Sequence, residues 1–195
     1  MSALLAADRW LYCAVNQRWT CRAFDAFFPA LTQLNRHPAF WVFLAGLCGL
    51  YGWRRRGKAG RVLLAAALAV AATDPSAARL IKPLVHRVRP CFTVPTAVLR
   101  VPTPGGRLSF PSNHAANTFA AATAASLADP PLAPLLFPIA ALVAYSRVYV
   151  GVHYPLDVLG GALLGLLLGL ASHAALARLT KPGPRDRVQD RQDAG

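Results

Sequence analysis

Two histidines, an aspartate and three cations fall in three short segments of this chain. Residues 82–90 read K-x6-R-P, residues 111–114 read P-S-N-H, and residues 146–157 read S-R-x5-H-x3-D. Lys82, Arg89 and Arg147 stand where apolar runs meet water, and arginine offers a planar fork that matches phosphate oxygens two at a time. Side chains that merely snorkel to the interface would look the same, as Arg87, Arg100 and Arg107 do. Ser112, preceded by Pro111, opens a helix whose free N–H groups and dipole favour an anion, or it simply caps that helix. His153 and Asp157 are four apart with Pro155 between them, and proline is best tolerated in a first helical turn. With Pro155 as the first helical residue, Asp157 takes the third position and reaches back as in a capping box. There it can accept the Nδ1–H of His153 and leave Nε2 as a nucleophile, although a plain cap beside an interfacial histidine gives the same spacing. His114 is the candidate donor for a leaving group. His86 lies between Lys82 and Arg89, within reach of the same place.

The chain has no glutamate, and outside the tail its acids are Asp8, Asp25, Asp74, Asp129 and Asp157. That leaves no carboxylate cluster for magnesium or calcium, so the expected chemistry is phosphoryl transfer with no metal and no cofactor. Asp74 sits inside an apolar run two turns before Lys82, where an ionisable group is costly. It is expected to partner an arginine or lysine of the site, or to make a helix-packing hydrogen bond.

The elements that must position these groups are membrane helices. At 195 residues, 55% hydrophobic and with a mean hydropathy of +0.37, the chain is one domain too apolar for an ordinary soluble one. Apolar runs cover residues 38–53, 62–81, 115–127, 132–145 and 156–176, the first and third short of the roughly 20 residues of a span. The expected fold is all-α, a polytopic membrane helical bundle of about five to six transmembrane helices. Residues 1–37 form its amphipathic N-terminal region, with Leu4, Leu5, Leu11, Tyr12 and Val15 on one helix and Phe24, Phe27, Phe28, Leu31 and Leu34 on the next. Both lie in the interface, or the second is a short span. Gly161, Gly165 and Gly169, with the small residues of 115–126, predict close helix approach. Residues 92–110, rich in proline and glycine, predict an irregular loop serving as lid or substrate edge. Cys13, Cys21, Cys48 and Cys91 lack metal-ligand spacing and read as small buried hydrophobes, with Cys91 beside the site.

The net charge of +13 is not that of a nucleic-acid binder, because the basic residues cluster at span ends. Arg54, Arg55, Arg56, Lys58 and Arg61 form one cluster, and Arg178, Lys181, Arg185, Arg187 and Arg191 another. By the positive-inside rule both are cytoplasmic. Alternating the spans from there places 82–111 and 147–155 outside and the disordered tail 181–195 inside. All three chemical segments then share one face.

The order and spacing of these segments resemble the type 2 phosphatidic acid phosphatase superfamily. Lys82, Arg89, Pro90, Pro111, Ser112, His114, Ser146, Arg147, His153 and Asp157 each match its K-x6-R-P, P-S-G-H and S-R-x5-H-x3-D signature. The resemblance implies a membrane lipid phosphatase in which His153 attacks phosphorus to give a phosphohistidine, Asp157 orients it and His114 protonates the leaving group. Lys82, Arg89, Ser112, Arg147 and the Asn113 backbone would hold phosphate. Asn113 stands where the family has glycine, which puts an amide near the leaving group. Small bacterial members with this look often recycle carrier lipid, so undecaprenyl diphosphate at the periplasmic face of the inner membrane is the expected substrate. Phosphatidylglycerol phosphate, phosphatidate and the 1-phosphate of lipid A are alternatives. A vanadate-dependent haloperoxidase shares the motifs but is soluble and longer, and a non-catalytic lipid-phosphate binder or transporter would keep the pocket.

Overall fold

A computed structural model describes residues 3–180; the tail expected over 181–195 lies outside the described residues. The described residues are mostly helical: α1 (Ala3–Cys13) runs through a π turn (Ala14–Arg18) to α2 (Arg22–Gln33), then α3 (Pro38–Arg54) and α4 (Arg56–Pro75). Next come α5 (Lys82–Val85), α6 (Pro90–Thr93), α7 (Asn113–Ala128), α8 (Ala133–Tyr149) and α9 (Pro155–Leu179). Among the described residues there is no strand, only one bridge between Val88 and Leu108. Pro75 and Pro83 each remove a ladder donor, and between them the helix widens into π geometry over Ser76–Ile81 without stopping.

The chain is a multi-pass membrane bundle. Three helical stretches are long and apolar enough to cross a bilayer: Arg56–Val85, Pro130–Tyr149 and Pro155–Leu179. The other two expected spans form helices of 17 and 16 residues, α3 and α7. They differ in surroundings: α3 buries none of its residues, whereas α7 is the central helix, packed against α4, α8 and α9. Residues facing other helices do not need lipid-matching length, so 16 residues, about 24 Å of rise, suffice there.

Small residues make that centre possible. Gly161, Gly165 and Gly169 lie along α9 against the α7 backbone, where an added Cβ at each would come within 2.7 Å of the carbonyl of Ser112, Ala116 or Ala120. Close backbone approach is how helices associate in lipid, where burial of apolar surface gives no drive. At the end away from the motifs, Asp129 accepts from Tyr51 Oη at 2.8 Å and from Lys58 Nζ at 3.0 Å. That pair ties the α3–α4 turn to the end of α7.

The N-terminal region closes the other end. At 12 residues, about 18 Å, α2 is too short to cross, and its Phe28 packs on Tyr145 and Tyr149 of α8. The expected amphipathic face of α1 is divided: Tyr12 and Val15 enter the core, while Leu4 and Leu5 are exposed. Asp8 on the same helix is buried because two donors seek it there. Asn16, fully buried in the π turn, accepts from Val98 N–H and donates to the carbonyls of Val98 and Tyr149. It pins the long loop to the third motif. The cysteines depart from expectation: Cys21 is exposed and the other three are half-buried, since the bundle is thin and most helices have a lipid-facing side.

Replacing Gly165 by alanine is expected to destabilise the detergent-solubilised protein by about 1–3 kcal/mol, through overpacking against α7. Gly46→Ala, where nothing lies within 4 Å of the added carbon, should be neutral or slightly stabilising in the same thermal unfolding assay.

Candidate active site

Arg89 organises the end of the bundle. Pro90 holds the first position of α6 and leaves Arg89 extended and buried. Its Nε donates to Gly106 O at 2.5 Å, and Nη1 donates to Val152 O at 3.0 Å and to His153 Nε2 at 2.9 Å. A guanidinium only donates, so the His153 Nε2 lone pair must accept, and the network assigns the imidazole proton to Nδ1. Gly151, at φ +88 and against Val98 O, makes the turn that brings His153 here from α8.

Pro155 is the first residue of α9 and Asp157 its third, closing a capping box with Tyr154. Asp157 Oδ2 accepts Tyr154 N–H at 2.8 Å and lies 3.6 Å from His153 Nδ1. The expected Nδ1–H bond is therefore not formed at hydrogen-bond length, because the cap has the better claim on that oxygen; the two groups face each other as a close polar pair. Desolvation of the buried ring, aided by the charges of Arg89, Arg147 and Lys82, holds the His153 pKa well below the usual 6.5.

The other motif residues converge. Arg147 is buried, donates from Nη1 to Thr32 Oγ1 and keeps Nε without a protein partner. Ser112 takes the N-cap place of α7 but makes no capping bond, and its Oγ is buried and unpartnered. Its N–H donates to Asp157 O at 2.9 Å, joining second and third motifs. Lys82 Nζ donates to Pro111 O at 2.6 Å, joining first and second. Arg89, Asn113, His114, Arg147 and His153 line one cavity of about 260 Å³. His86 is exposed and outside that lining. The loop edge expected over 92–110 is present, with Thr103, Pro104 and Gly105 on the cavity wall.

Asp74 takes the second of its two expected roles, the helix-packing hydrogen bond. It accepts from Asn113 Nδ2 at 2.9 Å and from Asn117 Nδ2 at 3.0 Å rather than from a cation, because the two asparagines are one turn apart on the face of α7 that meets it. Asn113 is thereby held by its own amide.

Sequence reasoning missed several residues. Thr32, Gln33, Asn35 and Arg36 line the cavity from the N-terminal region, and no motif marks them. Arg87, treated as a snorkelling side chain, pairs with both Asp157 and Asp8. The rarity of acids in the chain was the available signal for Asp8. Among the described residues, no group of three His, Cys, Asp or Glu side chains is arranged to hold a metal ion.

A family model described as PAP2 superfamily matches residues 58–181. The chain is 41% identical over 140 residues to a decaprenylphosphoryl-5-phosphoribose phosphatase of Mycobacterium tuberculosis, covering 71% of this chain and 73% of that one. It is 37% identical over 109 residues to an undecaprenyl-diphosphatase of Sulfolobus acidocaldarius, 55% of this chain and 50% of the relative. Its fold is similar to the crystal structure of a transmembrane PAP2 type phosphatidylglycerolphosphate phosphatase from Bacillus subtilis. That match has a TM-score of 0.62 at 25% identity and covers 93% of this chain and 89% of that one.

In 15N-histidine-labelled protein, His153 should carry its proton on Nδ1 at neutral pH. Its folded pKa is depressed, so the ring should stay neutral as the pH falls through the ordinary histidine range, charging only well below it. A ring protonated at Nε2 at neutral pH would contradict the assignment.

Proposed function

The chain belongs to the PAP2 superfamily and is a membrane hydrolase of phosphate esters, and from that premise we propose that it dephosphorylates a polyprenyl-linked sugar phosphate at the bilayer surface. The observation that carries the mechanism is His153 Nε2, its lone pair held by Arg89 at 2.9 Å, on a cavity shared with His114 and Arg147. An arriving phosphate competes for the Arg89 donors and frees Nε2. Nε2 then attacks phosphorus, the bond to the leaving oxygen breaks, and His114 supplies the proton that oxygen takes up. Water next attacks the phosphohistidine, giving its proton to His114 while the P–N bond pair returns to Nε2. Arg89, Arg147 and Ser112 Oγ hold the equatorial oxygens, where charge is spread in the transition state. Lys82 holds the second motif by Pro111 O and adds its charge nearby.

Two observations support the substrate class. The relative that spans most of both chains acts, by its name, on a decaprenylphosphoryl-5-phosphoribose. The cavity wall also offers Thr32, Gln33, Asn35 and Thr103, hydroxyls and amides suited to sugar hydroxyl groups. Undecaprenyl diphosphate, the reading from sequence, is the second candidate, favoured by the similarity to the archaeal undecaprenyl-diphosphatase. A periplasmic site in the inner membrane is supported by the cluster Arg54, Arg55, Arg56, Lys58 and Arg61, which lies around the turn fastened to Asp129 away from the cavity. A cytoplasmic C-terminus accords with the same orientation.

Phosphate release from purified protein should be at least about tenfold faster, in kcat/KM, from decaprenylphosphoryl-5-phosphoribose than from undecaprenyl diphosphate. The reverse order would favour the second candidate. His153→Ala should abolish turnover, His114→Ala should lower kcat by about 10²–10⁴, and EDTA should leave the rate unchanged. Full activity of His153→Ala, or loss of wild-type activity in EDTA, would overturn the mechanism.

A further inference from the structure

Arg87 lies inside the K-x6-R-P segment at a position that the motif leaves open. It is only partly exposed, and its fork is divided between two carboxylates. Nη1 donates to Asp157 Oδ1 at 2.8 Å, and Nη2 donates to Asp8 Oδ2. The guanidinium lies over the Tyr154 ring with Cζ 4.2 Å from its centroid. Tyr154 is itself fixed, by Thr93 Oγ1 at 2.8 Å from its hydroxyl and by the Tyr12 ring 5.3 Å away. Asp8 also accepts the N–H of Leu156 at 2.8 Å. Both carboxylates therefore stand at the N-terminus of α9, where the helix dipole favours negative charge.

The charges explain why two carboxylates are present. Arg87 alone would neutralise Asp157 and weaken its pull on the Nδ1–H of His153. With Asp8 on the second edge, the three groups sum to one negative charge. That charge faces the imidazole, which becomes cationic once Nε2 bonds to phosphorus, and in a buried site such a charge acts strongly. A guanidinium can serve both carboxylates while lying over an aromatic ring; a lysine ammonium cannot reproduce that geometry. Asp157 Oδ2 is already held by the capping box, so Arg87 fixes the other oxygen and with it the carboxylate plane.

We propose that Arg87 and Asp8 are positioning residues for the phosphoryl-transfer step, setting the orientation and charge of Asp157 and through it the nucleophilic His153. The proposal rests on the phosphatase reading of the site. Asp8 lies outside residues 58–181 matched by the family model, so the control belongs to this chain's N-terminal helix. α1 presents Leu4 and Trp10 outward and Asp8 inward, which makes it both a surface contact of the bundle and a support of its reaction centre.

The test compares Asp8→Asn, Arg87→Ala, Asp157→Asn and the double variant Asp8→Asn/Asp157→Asn in the full-length, detergent-solubilised protein. Asp8→Asn is isosteric and keeps an acceptor for Leu156 N–H, so it reports on charge rather than folding. Asp8→Asn and Arg87→Ala should each lower kcat by about 10- to 100-fold with KM within about twofold. Asp8→Asn should add nothing in the Asp157→Asn background, since the two act as a unit. Added guanidinium ion should restore part of the Arg87→Ala rate but not that of Asp8→Asn. Wild-type kcat in Asp8→Asn, a change confined to KM, or losses that multiply in the double variant would overturn the positioning role while leaving the phosphatase reading intact. Full kcat in Asp157→Asn would overturn that reading and the positioning role with it.

Discussion

The backbone contact between α7 and α9 is the constraint on which the site depends. The second motif opens α7 and the third opens α9, so the separation of the two helices sets how far Ser112 and His114 stand from His153 and Asp157. Glycines at 161, 165 and 169 allow α9 to lie on the carbonyls of Ser112, Ala116 and Ala120. The same close approach lets Ser112 N–H reach Asp157 O at 2.9 Å. In lipid nothing but packing and hydrogen bonding holds helices together, so a ridge that admits no side chain is a more rigid spacer than a greasy interface would be. Rigidity matters here because an in-line displacement needs its donor and nucleophile on opposite sides of one phosphorus within fractions of an ångström.

On that spacer the protein assembles more positive charge than it balances. Arg89 is held by two carbonyls and an imidazole, and Arg147 by a threonine hydroxyl, with its Nε free of protein partners. Neither guanidinium has a carboxylate partner in the described hydrogen-bond network. Burying a cation against neutral acceptors costs several kcal/mol per ion even after relaxation, a cost that a phosphate dianion would offset if it binds there as proposed. Neutral partners fix where each donor points without consuming its charge, which is the condition for electrostatic preorganisation. Asp157 is instead engaged by Arg87 and lies 3.6 Å from His153 Nδ1, on the side of the imidazole away from Arg89.

The parts of this arrangement that could be read from the sequence were those that depend on local spacing. Pro155 and Asp157, two residues apart, dictate a capped helix start wherever the segment lies, and the four-residue glycine repeat dictates close packing against some neighbour. Hydropathy located α3, α4, α7, α8 and α9 for the same reason, three of these stretches being long and apolar enough to cross a bilayer. What escaped were contacts between remote stretches with no periodic signature. Thr32 reaches Arg147 across 115 positions and Asp8 reaches Leu156 across 148. An acid on an amphipathic helix looks like a solvated face until the tertiary structure supplies the donors that bury it. Asp74 was only half legible: its cost in an apolar run calls for a partner, but composition alone does not choose between a cation and a neutral donor on a neighbouring helix. Two primary amides on one face of α7 satisfy it as well, and the asparagine that replaces the family's glycine is one of them.

The division of labour along the chain follows from these contacts. Residues 58–181 contain all three motifs and match the family model, yet the cavity wall is completed by Thr32, Gln33, Asn35 and Arg36 and the carboxylate network by Asp8. A bundle of α4, α7, α8 and α9 alone would leave Arg147 without Thr32 and Arg87 without its second anion. The N-terminal region is therefore one wall of the cavity and a support of its carboxylate network. That wall and the loop carrying Thr103 to Gly105 face the same cavity, so under the proposed function both would border a lipid phosphate held there. The shared motifs carry the reaction class, and on the proposed reading discrimination among lipid phosphates would fall to the walls outside them.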